Sequence, residues 1–98
     1  MDIAYRNKRL KSVCTDYSAA KKAYGEQMAE MIHLRIDQIS ASESVQEMVR
    51  FNIGRCHRLK GDRDGKYACN LIQPYRLVFS VEGGRLQIAR IEEIVDYH

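Results

Sequence analysis

Six residues of this chain could do chemistry together: His57, Lys60, Arg76, Asp96, Tyr97 and His98. His57 and Lys60 precede a glycine-bounded turn, Arg76 sits among apolar neighbours, and Asp96-Tyr97-His98 follow Ile94-Val95. These are the parts for cleaving RNA without a metal. A base must take the proton of a ribose 2′-OH and an acid must protonate the leaving 5′-oxygen; histidine suits both tasks near neutral pH. Arginine and lysine stabilise the charge that gathers on phosphorus. Tyr97 could stack on an unpaired base, a contact worth about 1–3 kcal/mol. The residues leave His57, Asp96 and His98 all open as the base. An α-carboxylate beside His98 would favour its protonated form, which suits an acid or an electrostatic group. Plainer readings exist for each residue. A histidine on a strand is commonly structural or solvated, an arginine between apolar residues can be a surface residue, and a terminal Asp-Tyr-His can be a frayed end.

The elements that must position these residues belong to a small protein. The 98 residues are expected to form a single domain, 1–98, with one core, so that any site lies on a face or in a shallow groove. With 45% hydrophobic and 30% charged residues the composition is that of a folded soluble domain. No apolar run reaches the roughly 18 residues of a membrane span, and the start, M-D-I-A-Y-R-N-K-R-L-K-S, has no apolar signal region; a cytoplasmic protein without membrane contact is expected. Cys14, Cys56 and Cys69 include no C-x-x-C pair and read as buried free thiols, with no metal site and no cofactor implied. The net charge of +3 hides segregation: residues 1–22 hold six Lys/Arg against two acids, and residues 50–76 hold seven against two. A basic zone of this kind suggests a polyanionic partner, although many non-catalytic binding domains are equally basic.

The pattern predicts an α+β domain in the order β-α-α-α-β-β-β-β, an antiparallel sheet with N-terminal helices packed on one face. Ile3–Tyr5 reads as a short strand. Asn7 caps a helix to about Cys14, and Thr15, Asp16 and Ser18 offer caps for a longer helix. Its buried stripe is Ala20, Tyr24, Met28, Met31, Ile32, Ile36 and Ile39, with Lys21, Lys22, Glu26, Glu30, Arg35 and Asp37 outside and a kink possible at Gly25. His33 reads as a structural or solvated histidine. Ser44-Val45-Gln46-Glu47 opens a short helix to about Phe51 as a capping box. Strands follow over Arg55–Lys60, Tyr67–Ile72, Tyr75–Val81 and Leu86 to about Ile94, with turns at Gly61–Gly65, Gln73-Pro74 and Glu82-Gly83-Gly84.

The stretch C-H-R-L-K-G-D-R-D-G-K-Y-A-C-N-L-I-Q-P-Y-R-L-V-F-S-V, followed by I-E-E-I-V-D-Y-H, resembles the RelE superfamily of bacterial toxins, and within it the HigB-type killer proteins of plasmid maintenance. Three motifs carry the resemblance: H-x-L-K-G-D-R from His57 to Arg63, Y-R-L-x-F from Tyr75 to Phe79, and the closing D-Y-H. It covers residues 50–98 closely and the helical half through its arrangement. The resemblance implies a small α+β toxin of a type II toxin–antitoxin system that cleaves mRNA on the ribosome and inhibits translation. A cognate antitoxin, helix-turn-helix and HigA-type, would restrain it, and operator DNA would be reached only through that complex. By position, His57 matches an acid/base residue, Lys60 a phosphate contact, and Arg76 the arginine at the scissile phosphate. Asp96, Tyr97 and His98 match a triplet that serves acid/base chemistry and base stacking. Arg58 and Arg63 join the RNA-binding set, with Asp62 and Arg63 also suited to turn architecture. The superfamily includes gyrase-poisoning members of the same fold, and a non-catalytic nucleic-acid or protein-binding module is a further alternative.

Overall fold

The computed structural model describes residues 1–96. The chain opens with β1 (Asp2–Tyr5) and continues through α1 (Lys8–Thr15), α2 (Tyr17–Tyr24), α3 (Glu26–Ala41) and α4 (Val45–Arg50). A 3₁₀ turn at Ile53–Arg55 leads into β2 (His57–Arg58), and a second at Gly61–Arg63 leads to β3 (Lys66–Asn70), β4 (Tyr75–Glu82) and β5 (Ile88–Asp96). No described helix is long and apolar enough to cross a membrane.

Helix starts follow the side chains that can accept from free backbone N–H groups. Asn7 Oδ1 accepts from Leu10 N–H at 2.9 Å, Asp16 from Ser18 N–H at 3.0 Å, and Ser44 Oγ from Glu47 N–H at 3.1 Å. The long second helix expected from the sequence is two helices, α2 and α3. Gly25 divides them at φ 89°, ψ 168°, a conformation that a residue with a side chain rarely adopts. Its N–H still closes α2 on Lys21 O at 2.8 Å, and its carbonyl accepts from Ala29 at 3.0 Å to begin α3. The apolar stripe nevertheless lands where expected: Ala20, Met28, Ile32, Ile36 and Ile39 are buried, and Tyr24 and Met31 pack against them.

The sheet order is β1-β5-β4-β3-β2. The meander β2 to β5 is antiparallel, as the turns required, while β1 returns to pair in parallel with β5 and makes the sheet mixed. One face carries Cys69, Leu77, Phe79, Ala89 and Ile91 into the same cluster as the buried residues of all four helices. Among the described residues the opposite face bears a small apolar strip of Leu59, Ala68 and Val78, with Val95 against it. Helices therefore cover one side and leave the other open.

A β-bulge shapes that open side. Val78 pairs with Glu93 but Phe79 with Ile91, so Glu92 is an extra residue in β5. Before the bulge Ala89 and Ile91 face the helices; after it Ile94 does, and Val95 joins the open side. A one-residue shift of this kind exchanges the two faces of everything beyond it.

Candidate functional site

The open face is built from rows of cross-strand neighbours, which point the same way. One row is His57, Ala68, Val78 and Glu93; the next is Asn70, Arg76 and Val95. Ala68, Val78 and Val95 belong to the apolar strip of that face, so His57 and Arg76 share it. Standard strand and residue spacings put their Cα atoms about 12 Å apart, a span that an imidazole and a guanidinium can close around one phosphodiester.

His57 is held by its own backbone. Its Nδ1 lies 2.9 Å from the carbonyl oxygen of Arg55, two residues earlier. The strand expected over Arg55–Lys60 shrinks to His57–Arg58 because the approach to it is left-handed. Asn52, Gly54 and Arg55 have φ of 55°, 59° and 55°. Beyond Arg58 the ladder continues for one bond, Leu59 N–H to Lys66 O at 2.8 Å, and the chain then leaves the sheet.

The strand beside Arg76 is anchored at Asn70, its register partner. Arg35, expected on the outer face of its helix, is half-buried: its Nε donates to Asn70 O at 2.7 Å and its Nη1 to Gln38 Oε1 at 2.9 Å. The guanidinium thus ties α3 to the end of β3, against Gly54. A Cβ on Gly54 would sit 2.6 Å from Arg35 Nε, at a φ of +59°. Gly54→Ala is accordingly expected to lower stability by about 1–3 kcal/mol. Urea denaturation of the two proteins measures it, and an unchanged midpoint would mean that Arg35 yields freely.

The buried thiols stand just behind His57. Continuing the register of His57 and Ala68 sets Cys56 opposite Cys69, and both are free and buried. A hydrogen bond from Cys69 lowers the Cys56 thiol below its ordinary range, while that bond and burial push Cys69 up. Burial raises Cys14 to about 12. All three match the expectation of buried free thiols.

No protein-family model matches the sequence, and no curated protein matches it. Solved structures do. A YoeB/ParE toxin from Agrobacterium tumefaciens superposes with a TM-score of 0.68 at 18% identity, over 100% of both chains. A chain of the YoeB–YefM complex from Staphylococcus aureus gives 0.62 at 19% identity, covering 100% of this chain and 97% of that one. The YoeB dimer from Staphylococcus aureus gives 0.55 at 18%, with the same coverage. The chain has the YoeB/RelE-like toxin fold.

Within the YoeB/RelE-like fold, the residues singled out from sequence separate into groups. His57 and Arg76 share the open face. Arg63 reaches the same face from its 3₁₀ turn and forms an ion pair with Glu93, a partner that sequence reasoning did not identify. Arg58 alternates away from His57 and pairs with Asp64 at 3.5 Å, both well exposed. Lys60 is exposed at the start of the Gly61–Arg63 turn. Asp96 pairs with Tyr75, so by alternation it lies on the helix side at the exposed end of β5. Tyr97 and His98 lie outside the described residues. His33 is part-buried, with Nε2 3.1 Å from Val13 O and its ring edge-on to Tyr17, a link between α3 and α1.

The sequence also missed Glu92. It is buried beside the bulge, accepting from Ser80 Oγ at 2.8 Å and lying 3.5 Å from Arg90 Nη1. The signal was present. In I-A-R-I-E-E-I the apolar residues step by two and then by three, which is how an inserted strand residue reads. Among the described residues no group of His, Cys, Asp and Glu is placed to hold a metal.

Proposed function

We propose that the protein is the toxin of a type II toxin–antitoxin system, of the HigB-type branch, and that it is a ribosome-dependent mRNA endoribonuclease. The observation that carries this reading is the placement of His57 and Arg76 on one helix-free face of the sheet. The 2′-OH of RNA is its own nucleophile, so the protein has to move protons and bind charge. His57 exchanges the proton of the 2′-OH. Arg76 binds the phosphoryl oxygens as charge builds on them, and Lys60 adds a mobile cation at the edge. His98 is the candidate for protonating the 5′-oxygen and Tyr97 for stacking on a base. Asp96, expected from sequence to join them, faces the helix side of β5 and is left out of that step. The products are a 2′,3′-cyclic phosphate and a 5′-OH fragment.

The fold likeness to a toxin from a YoeB–YefM complex supports a cognate antitoxin as partner. A helix-turn-helix antitoxin of HigA type would bring the complex to operator DNA, and the site of action would be the cytoplasm. A gyrase-directed toxin of this fold is not favoured: such a protein has no use for a histidine and an arginine converging on one phosphate.

Inducing the protein in bacteria and mapping mRNA 5′ ends tests the reading. New cuts within translated codons, bearing 5′-OH ends, are expected. Arg76→Ala should reduce them about 10²- to 10³-fold, the usual loss when one donor to a developing oxyanion is removed. Growth arrest without new cuts would point instead to a gyrase-directed toxin or a non-catalytic binding module.

A further inference from the structure

The strained segment before β2 does something specific to His57. We propose that Arg55 is a positioning residue whose left-handed backbone fixes the tautomer of His57, making Nε2 the atom that accepts the 2′-OH proton. The role of Nε2 rests on the ribonuclease reading above; the tautomer does not.

A carbonyl oxygen can only accept. With Nδ1 of His57 2.9 Å from Arg55 O, the hydrogen between them belongs to Nδ1. A neutral imidazole carries one ring proton, so Nε2 then presents a bare lone pair. That is the resting state of a base. Once Nε2 takes a proton, the negative end of the Arg55 carbonyl dipole faces the imidazolium. The same division of labour operates wherever one ring nitrogen is oriented by an acceptor and the other reacts.

An ordinary strand could not supply this contact. In extended backbone the carbonyls lie in the plane of the sheet and the side chains stand perpendicular to it. A carbonyl two residues upstream would miss a ring on the open face. The chain meets the requirement by breaking the strand. Arg55 has φ 55°, a region that costs a non-glycine residue about 1–3 kcal/mol and persists only when its surroundings over-determine it.

Those surroundings are firm. Arg55 N–H donates to Asn52 O at 3.2 Å and Cys56 N–H to Ile53 O at 2.9 Å. Ile53 packs against the core, Cys56 is buried, and Arg35 closes on Gly54. Arg55 itself is exposed at its side chain, so the strain serves no packing of that side chain. What the backbone accomplishes there is the placement of one carbonyl beside one imidazole.

Two substitutions separate backbone from side chain, because both remove the charge. Arg55→Gly accepts a positive φ readily; Arg55→Val resists it, being β-branched. Long-range ¹⁵N–¹H correlation spectra of the His57 ring, above its titration, report the tautomer directly. The wild-type and Arg55→Gly proteins should show Nδ1–H, and Arg55→Val a mixture or Nε2–H. On programmed ribosomes Arg55→Gly should cut within about threefold of wild type and Arg55→Val on the order of tenfold or more slower. Thermal melts of each variant accompany the rates. A wild-type ring in the Nε2–H form overturns the proposal. So does an Arg55→Val protein that keeps both the Nδ1–H ring and the Arg55→Gly rate. If Arg55→Val does not fold, the wild-type and Arg55→Gly spectra still decide the tautomer. An Nδ1–H ring in a protein that cuts no mRNA upholds the positioning by Arg55 and overturns the nuclease reading instead.

Discussion

His57→Ala is expected to slow mRNA cleavage on ribosomes by about 10²- to 10⁴-fold, the usual worth of a positioned acid–base group. The fold should barely notice. His57 is half-buried on a two-residue strand at the sheet edge, and among the described residues its ring hydrogen bond goes to Arg55 O, a partner near water. A net contribution of about 0.5–1.5 kcal/mol is ordinary for such a bond. Single-turnover rates and a thermal melt on the same preparation would separate the two effects. A variant that cuts within threefold of wild type would move the base to His98. A variant that fails to fold would instead recast His57 as a structural residue.

Phe79→Ala is the opposite case, a loss of fold with no direct loss of chemistry. Phe79 is 0% exposed, at the centre of β4, with its ring stacked on Tyr67 at 6.0 Å between centroids and 25° between planes. It pairs with Ile91 at the edge of the bulge, where core packing changes register. Emptying that volume is expected to lower stability by about 3–5 kcal/mol, transfer and cavity terms together. A domain of this size commonly has about 5–15 kcal/mol in total. At roughly 4–8 °C per kcal/mol the melting temperature should fall by roughly 12–40 °C. Calorimetry or urea unfolding would measure it, and a loss below about 1 kcal/mol would place the structural centre elsewhere. Loss of toxicity in this variant would carry no information about the site, which makes it the proper contrast to His57→Ala.

What the sequence made legible is what depends on neighbours along the chain. Asn7, Asp16 and Ser44 are residues whose side chains can cap, and they do. The helical stripe and the strands around Leu77 and Phe79 follow from period alone. Gly25 could be read as a weak point in a helix, but its φ of 89° could not, so two helices looked like one. Arg35 looked external on a helical projection because its partner, Asn70 O, lies 35 residues away. The parallel return of β1 to β5 is likewise invisible to local pattern. For the candidate site, two motifs identified His57 and Arg76, and the sheet unites them. The pairing of Arg63 with Glu93 depends on the bulge, and the left-handed Arg55 on packing, since arginine as a residue type has no preference for that conformation.

The extra residue in β5 bears on how this chain is matched to the structures it resembles. At 18–19% identity, correspondence between chains is set by superposition rather than by runs of shared letters. A comparison that slides one position across Glu92 exchanges Glu92 with Glu93 and Ile94 with Val95, residues alike in kind. It nevertheless exchanges inside for outside at Ile94, Val95 and Asp96. Roles assigned near the end of the chain therefore inherit their parity from where the inserted residue is placed.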